Sequence, residues 1–272
     1  IYDIVDGELV FQSYFKMPAP QDEKENCVAH NGSIIPVPGR DIFAQAWYQG
    51  GLSIIDFTDS ANPVEIAYFD RGPIHEDHLI LGGYWSTYWY DGMIYGTEIA
   101  RGMDVFELVP SEYLTENEIA AARIADQGEL FNPQQQFRVT WPAEPVVARA
   151  YMDQLNRADA LSAAMNDDLS ELLVRAEVHL ADGDSDRRLA RELETVAEAI
   201  GDGDGAAPKQ RAGLAETLGG SAARLRSLAS RRRIPAVAED LRYLLGSSSP
   251  RASRDSQRVP ASTDGRFRLA AS

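Results

Sequence analysis

The stretch Ile42-Phe43-Ala44-Gln45-Ala46-Trp47 is followed by Gly51-Leu52-Ser53-Ile54-Ile55-Asp56, and the same pattern returns 51 residues later. The second copy reads Met93-Ile94-Tyr95-Gly96-Thr97-Glu98, followed by Gly102-Met103-Asp104-Val105-Phe106-Glu107. Self-similarity at a fixed period is typical of a repeat architecture, in which each unit buries its apolar surface against its neighbours. The repeat, rather than any single residue, therefore decides the fold of the first part of the chain.

Each copy has the composition of short strands separated by turns. Its segments are rich in β-branched and aromatic residues, and they are bounded by Gly50-Gly51, Asp91-Gly92 and the turn-forming run at residues 59–63. About four short strands in about 50 residues are typical of a β-propeller blade.

A third, partial copy opens the chain. Tyr2-Asp3 aligns with Ile55-Asp56, and Tyr14-Phe15 aligns with Tyr68-Phe69. Together the copies predict an incomplete propeller over residues 1–110, with about two to two and a half blades of four-stranded antiparallel sheet. So few blades cannot close a ring, and closure is what removes strand edges.

Charge and aromatic content divide the 272-residue chain into two parts. The net charge is -16, and residues 1–140 alone hold 22 acidic and 7 basic residues, a net charge of -15. Of the 24 aromatic residues, 21 lie at or before Trp141. We therefore predict two domains, β followed by α. The acidic first part argues against nucleic acid as a partner, because phosphates are bound by Lys and Arg. It is compatible with cations, basic partners or simple solubility.

The second part has a helical period. Thr115 and Glu118 form a capping-box pattern, which predicts a short helix within a connector over residues 111–145. Residues 146–246 carry apolar stripes at helical spacing, with Asp159 as one predicted cap and Pro235–Leu245 as the last helix. They predict an antiparallel helical bundle. Residues 247–272 are rich in Ser, Arg and Pro and are predicted to be disordered.

The chain has no run of about 18 apolar residues, so the sequence predicts no transmembrane segment. It has no visible signal peptide either. Its single cysteine, Cys27, excludes an internal disulfide, and its apolar neighbours favour a buried structural thiol over a nucleophile.

The repeat copies resemble the LVIVD-repeat family of bacterial and archaeal proteins, in which an apolar-Val-Ile-Val-Asp strand precedes a turn that contains proline. Residues 51–56 with Asn62-Pro63-Val64 match this motif, and Val105-Phe106-Glu107 and Ile1-Tyr2-Asp3 match it more loosely. Residues 25–31 and 85–90, and the Trp141-Pro142 connector, are similar to the last blades and the helical domain of large secreted members. The resemblance covers roughly residues 1–230.

The resemblance implies an exported or cell-surface β-propeller without established catalytic residues. It also implies that the chain is the C-terminal part of a longer protein, with upstream blades as partners. A protein or a small ligand at the propeller channel is the binding partner that it suggests. We therefore expect a non-enzymatic binding protein, and the alternative is a metal-dependent propeller enzyme that uses His30, His75 and His78.

His75-Glu76-Asp77-His78 is the most suggestive cluster for a divalent metal. Imidazole and carboxylate groups suit zinc or iron. The cluster follows Arg71-Gly72-Pro73, however, and it lacks the HExxH pattern of a zinc-binding helix. A solvated loop between blades is the alternative that we favour, so we predict no cofactor.

Five residues are candidates for ligand binding, because loops before the inner strands of a propeller face its central channel. They are His30, Asn31, Trp47, Glu98 and Arg101. A Cys27–His30 pair for nucleophilic chemistry is an alternative, but three residues apart on a strand these side chains point to opposite faces. The tryptophans and tyrosines of both copies could form a stacking surface, although such residues more often pack blades together.

Overall fold

The computed structural model describes residues 1–128, 132, 138–201, 206–228 and 266–269. In these residues three small sheets precede five helices, so the predicted order of β before α is confirmed. A tenth strand lies near the end of the chain. No sheet among the described strands closes on itself.

A two-stranded hairpin begins the chain, with strands β1 (Tyr2–Val5) and β2 (Glu8–Phe11). Asp6 and Gly7 connect them with φ values of 53° and 84°. Positive φ values at both central residues define a type I′ turn, which matches the twist of a hairpin. Asp91 and Gly92 have nearly the same φ values, 46° and 79°, and connect a later pair of strands.

The hairpin places Tyr2 and Asp3 of the third copy on a strand, but not Tyr14 and Phe15. The alignment placed Tyr14-Phe15 on the strand that contains Tyr68-Phe69, but residues 12–30 form no strand. The Asp-Gly turns of the two hairpins lie 85 residues apart, which is not a multiple of the 51-residue period, so they do not define another copy. The turn fixes the register of the hairpin, and because β1 begins at Tyr2, its partner strand β2 ends at Phe11, before Tyr14.

Four antiparallel strands form the first repeat sheet, in the order in which they occur along the chain. They are β3 (Gly32–Ile35), β4 (Ile42–Ala46), β5 (Leu52–Asp56) and β6 (Val64–Phe69). A β-bulge between Ile54 and Ile55 shifts the register of β5 against β6. The first complete copy therefore has the four-stranded antiparallel form that the sequence predicts.

The second repeat sheet has three consecutive antiparallel strands and a fourth from the far end of the chain. They are β7 (Tyr84–Tyr90), β8 (Met93–Glu98), β9 (Gly102–Leu108) and β10 (Arg266–Leu269). Strand β10 pairs in parallel with β9. Four residues of the segment predicted to be disordered thus form a strand, and the rest of that segment lies outside the described residues.

The two repeat sheets pack face to face. The inner face of the second sheet consists of Trp89, Ile94 and Phe106, each at most 1% exposed. The stacking face of the first sheet, which these side chains cover, consists of the buried residues Ile35, Ile42, Ala44 and Ile54. Hydrogen bonds join the same faces, because the backbone N–H of Trp89 donates to Ser33 Oγ at 2.7 Å and Thr87 Oγ1 donates to the Ala44 carbonyl at 3.1 Å.

This packing is directional with respect to the repeat. The 51-residue offset carries Ala44, Leu52 and Ile54 of the first sheet to Tyr95, Met103 and Val105 of the second. Strand pairing places these three residues on the outer face of the second sheet, opposite Trp89 and Ile94. Opposite faces of successive copies therefore meet, so the copies stack head to tail.

The helices follow the sheets. They are α1 (Glu116–Arg123), α2 (Pro145–Arg157), α3 (Ala163–Asp182), α4 (Arg187–Gly201) and α5 (Pro208–Ser227). The capping box of α1 is confirmed, because Thr115 and Glu118 bond each other's backbone N–H groups. The predicted cap at Asp159 is wrong: Ser162 caps α3 by accepting from the backbone N–H of Met165. Asp159 instead adopts φ +50° in the preceding turn.

Helices α2 to α5 pack as a bundle around leucines, alanines and Tyr151. The predicted helix at Pro235–Leu245 lies outside the described residues. Among the described helices, none is long and apolar enough to span a membrane.

The connection between β3 and β4, at residues 36–40, joins the sheets to the bundle. The indole N–H of Trp141 donates to the Pro36 carbonyl at 2.9 Å, and the Gln154 amide donates to the Pro38 carbonyl at 2.8 Å. Arg40 pairs with Glu118 of α1. One short connection therefore carries most of the polar contacts that fix the bundle to the first repeat sheet.

Candidate functional site

Two loop residues and one strand residue bring three ring side chains together at the surface. We call His30, Tyr48 and Trp85 the aromatic triad. The ring centroids of His30 and Trp85 are 4.1 Å apart, and those of His30 and Tyr48 are 5.0 Å apart. Tyr48 and Trp85 lie 5.8 Å apart with perpendicular planes. The side chain of Trp85 remains 48% exposed, so one side of the triad is open to solvent.

The histidine of the triad is fixed in one orientation. Its Nδ1 lies 2.5 Å from the backbone carbonyl of Trp85. A carbonyl can only accept a hydrogen bond, so this contact requires a proton on Nδ1, and in that neutral tautomer Nε2 is the acceptor. Asn31, the next residue, is exposed beside it. The triad thus offers a ring stack, an acceptor nitrogen and a neighbouring amide.

Backbone contacts between the two repeat sheets hold the triad in place. Tyr48 and Tyr84 exchange two backbone hydrogen bonds, with N···O distances of 3.1 Å and 2.8 Å. Asn31 forms a parallel bridge with Ser86. Each triad residue is therefore next to, or part of, a backbone link between the copies, so the rings meet only when the sheets are stacked.

Close backbone approach at Gly83 makes this arrangement possible. A Cβ atom at Gly83 would lie 1.9 Å from the carbonyl carbon of Tyr48, and Gly83 has φ +87°. Tyr48 itself has φ +51°, a left-handed conformation that is unfavourable for residues other than glycine. Local backbone strain of this kind clusters at functional sites.

Two of the five predicted ligand-binding residues are buried rather than facing solvent, and a third is exposed away from the triad residues. Trp47 is 8% exposed, and its indole N–H donates to Ser53 Oγ at 2.8 Å, so it packs within the first repeat sheet. Glu98 is 4% exposed and accepts from the backbone N–H groups of Gly83, at 2.5 Å, and Arg101. Arg101 is exposed, and its guanidinium donates to the Pro73 carbonyl at 3.4 Å.

Glu98 nevertheless supports the triad, because it fixes the backbone of Gly83, which touches Tyr48. His30 and Asn31 are brought together with Tyr48 and Trp85 as parts of one surface. Of the other aromatic residues that could form a stacking surface, Trp89 is buried and Tyr90 is half-exposed. The stacking surface therefore includes only some of the aromatic residues considered from the sequence.

The His75–His78 segment forms a loop without the geometry of a metal centre. The two imidazole rings are in contact, with centroids 3.9 Å apart, and Nδ1 of His75 accepts from the Asp77 backbone N–H at 3.1 Å. Glu76 and Asp77 are exposed. Within the part of the chain that the structure describes, no group of three or more His, Cys, Asp or Glu side chains could hold a metal ion. The structure thus does not bring His30 to His75 and His78.

Cys27 is a half-buried thiol beneath the same loops. Burial, together with the nearby carboxylates of Glu25 and Asp70, disfavours the thiolate and raises its pKa to about 11. A nucleophilic cysteine requires a lowered pKa. The Cys27–His30 pair is therefore not arranged for nucleophilic chemistry.

A buried polar group below the triad was not predicted. The Tyr84 hydroxyl donates to Asp104 at 2.5 Å, and Asp104 pairs with Arg71 at 2.8 Å. Burial raises the pKa of Tyr84, and the neighbouring Asp104 carboxylate adds to this effect. The 51-residue offset places Asp104 where the first copy has Ser53. An acidic residue at this inward-facing strand position was the sequence signal that could have predicted the buried polar group.

The side chains of the aromatic triad are suited to binding a ligand. An exposed tryptophan face binds cations and planar groups, and the neighbouring amide and imidazole can form hydrogen bonds. No family model matches the sequence, and no curated protein or solved structure matches the chain. The function therefore rests on the site itself.

Proposed function

We propose that the chain is part of an exported or cell-surface β-propeller of the LVIVD-repeat type, which binds a partner without catalysing a reaction. The resemblance of residues 51–56 and 62–64 to the family motif supports the family and the location. The observation that carries the binding role is the aromatic triad. It lies at the junction of two stacked copies, and a junction between repeats is where repeat proteins form binding surfaces.

The triad favours a positively charged group on a protein or peptide. A cation over a tryptophan ring within about 6 Å of its centroid gains about 0.5–1 kcal/mol at an exposed site. The net charge of -15 over residues 1–140 attracts basic segments over a longer range and raises their association rate. Both effects favour an Arg- or Lys-containing segment that stacks on Trp85.

Binding is assigned rather than catalysis because the nearby titratable groups are committed to structural roles. Nδ1 of His30 donates to the Trp85 carbonyl, and the Glu98 carboxylate accepts from two backbone N–H groups. Cys27 stays protonated at neutral pH because its pKa is raised. A general base must be free to take a proton from a substrate, which Glu98 and Cys27 are not, and Nε2 of His30 serves as a hydrogen-bond acceptor for the ligand.

Fluorescence anisotropy with a labelled hexa-arginine peptide tests the proposal. Trp85→Ala should weaken binding about two- to fivefold, which corresponds to the loss of one exposed cation–π contact. Tyr68→Ala is the matched control, because Tyr68 is 49% exposed and lies outside the triad. Raising the salt concentration should weaken binding of both variants. Equal affinity of Trp85→Ala and the unmodified chain would overturn the proposed site.

A further inference from the structure

The imidazole of His30 lies against the indole of Trp85, to which a bound cation would also be attracted. The ring centroids are 4.1 Å apart, and the ring planes are tilted by 44°. An indole ring attracts a cation that lies within about 6 Å of its centroid. The neutral imidazole carries no charge, but the protonated imidazole is itself a cation within that distance. The aromatic triad therefore contains a cation of its own whenever His30 is protonated.

Three hydrogen bonds fix His30 in this position. Its backbone N–H donates to the Ala46 carbonyl at 2.8 Å, and its own carbonyl accepts from the side-chain amide of Gln45 at 2.7 Å. Nδ1 donates to the Trp85 carbonyl at 2.5 Å. The second proton of an imidazolium is carried by Nε2, so the ring can gain its charge without breaking any of these bonds. Protonation therefore changes the charge of the triad and leaves the position of its histidine unchanged.

No carboxylate in the described part of the chain forms an ion pair with the ring of His30. The histidine that does form such a pair is His179, whose Nε2 lies 3.5 Å from Asp186. Tyr48 is the titratable side chain in contact with the His30 ring, with centroids 5.0 Å apart, and a phenol does not change charge near neutral pH. The other groups in contact are an amide and an indole, which carry no charge. A proton on His30 therefore leaves a net positive charge at the binding surface.

We propose that protonation of His30 releases the cationic ligand of the aromatic triad, so that the ligand binds at neutral pH and dissociates at acidic pH. The inference rests on the proposed function, because it requires a positively charged group on Trp85. Two effects act in the same direction. The imidazolium repels the charge of the ligand, and Nε2, once protonated, no longer accepts a hydrogen bond from it. Histidine side chains ordinarily change charge between pH 5 and 8, so this is the range to test.

Fluorescence anisotropy with the labelled hexa-arginine peptide, at about pH 8 and about pH 5 and at one ionic strength, tests the proposal. Arginine is charged at both pH values, so the peptide does not change. The unmodified chain should bind at least about threefold more weakly at the acidic pH, because two like charges on one indole ring repel each other. Replacing both His75 and His78 by Asn is the matched control. These histidines also gain charge but lie in a loop outside the triad, so the pH dependence should remain.

Two substitutions remove the charge of His30 in different ways. His30→Asn keeps an amide N–H near the position of Nδ1, and His30→Phe keeps a ring against Trp85, but neither side chain gains a proton. Both variants should lose most of the difference in affinity between the two pH values.

Equal affinity of the unmodified chain at both pH values would overturn the proposal, and so would a full pH dependence in either His30 variant. The proposed function is tested separately by Trp85→Ala at the higher pH. If that substitution leaves binding unchanged, the binding site itself is wrong. If it weakens binding and the affinity of the unmodified chain does not depend on pH, only the role of His30 is refuted.

Discussion

The guanidinium of Arg40 lies 2.9 Å from the Glu118 carboxylate, across the boundary between the first repeat sheet and the helices. The second guanidinium nitrogen lies 2.5 Å from Asp56 of β5, and Arg157 of α2 pairs with Glu118 at 2.7 Å. The side chain of Arg40 is 6% exposed and that of Glu118 is not exposed. A chain of four charges therefore runs from a strand through two helices at the centre of the interface.

Removing Arg40 should destabilise the chain strongly. Arg40→Ala should cost about 3–5 kcal/mol, because it leaves buried carboxylates without their shared cation. Lys209→Ala is the control, since Lys209 forms an exposed pair with Asp41 at 3.2 Å across the same interface. That change should cost less than about 1 kcal/mol. Urea unfolding measures both, and equal costs would show that Arg40 contributes no more than a surface ion pair.

Stability should fall at low pH partly through Asp56. Burial alone raises its pKa, but the Arg40 charge and hydrogen bonds from Thr58 lower it below the ordinary value of 3.8. The stabilisation is therefore fully present above pH 3.8 and is lost as the pH falls through the lower pKa of the folded state. Asp56→Asn should be less stable at pH 7 and should lose less stability on acidification.

Urea unfolding of the Asp56→Asn variant and of the unmodified chain should be measured from neutral to acidic pH. The difference between the two free energies of unfolding isolates the contribution of Asp56. The two curves should converge at acidic pH. Parallel curves would contradict a lowered pKa in the folded state.

The equivalent glycines Gly51 and Gly102 should tolerate alanine differently. Both have positive φ, +81° and +98°. A Cβ atom at Gly51 would lie 1.9 Å from the Phe69 carbonyl oxygen, whereas at Gly102 nothing lies within 4 Å. Gly102→Ala should cost about 1–2 kcal/mol from its backbone conformation alone. Gly51→Ala should cost about 1–3 kcal/mol more, because backbone must move. Urea unfolding should separate the two variants, and equal losses would refute the clash.

The Cys27 thiol should react slowly in the folded chain. Its pKa is raised to about 11 from an ordinary value of 9.0, so the thiolate fraction is lower than in an unfolded chain at the same pH. Iodoacetamide should alkylate the folded protein at neutral pH at least about tenfold more slowly than the protein in urea. Mass spectrometry follows the reaction. Equal rates at matched pH would show that burial and the neighbouring carboxylates do not suppress the thiolate.

The local parts of the fold could be predicted from the sequence. The 51-residue period locates β4, β5, β8 and β9, because alternation and turn residues act over a few positions. The Thr115–Glu118 capping box correctly marks the start of α1 for the same reason. The pairing of β10 with β9 was not predictable, since no local pattern in Arg266–Leu269 identifies a partner strand so far away in the sequence.

The candidate site could be predicted only in part. His30 and Asn31 were predicted, but their partners Tyr48 and Trp85 come from two different copies and meet only through tertiary stacking. The left-handed backbone of Tyr48 has no residue-type signal, because tyrosine rarely adopts positive φ. Trp47 was predicted to bind ligand from its loop position, yet it is buried and its indole N–H donates to Ser53, and the sequence alone does not reveal this packing.

The position of β10 has a consequence for how the chain reaches its native state. Its Leu269 pairs with Leu108, so all five helices are synthesised before the last edge of the second repeat sheet can be sealed. Contacts between such distant segments form slowly, because a very large loop must close first. During that interval the edge of β9 has unpaired backbone N–H and C=O groups. At this edge the nascent chain can pair with a wrong strand or with another chain.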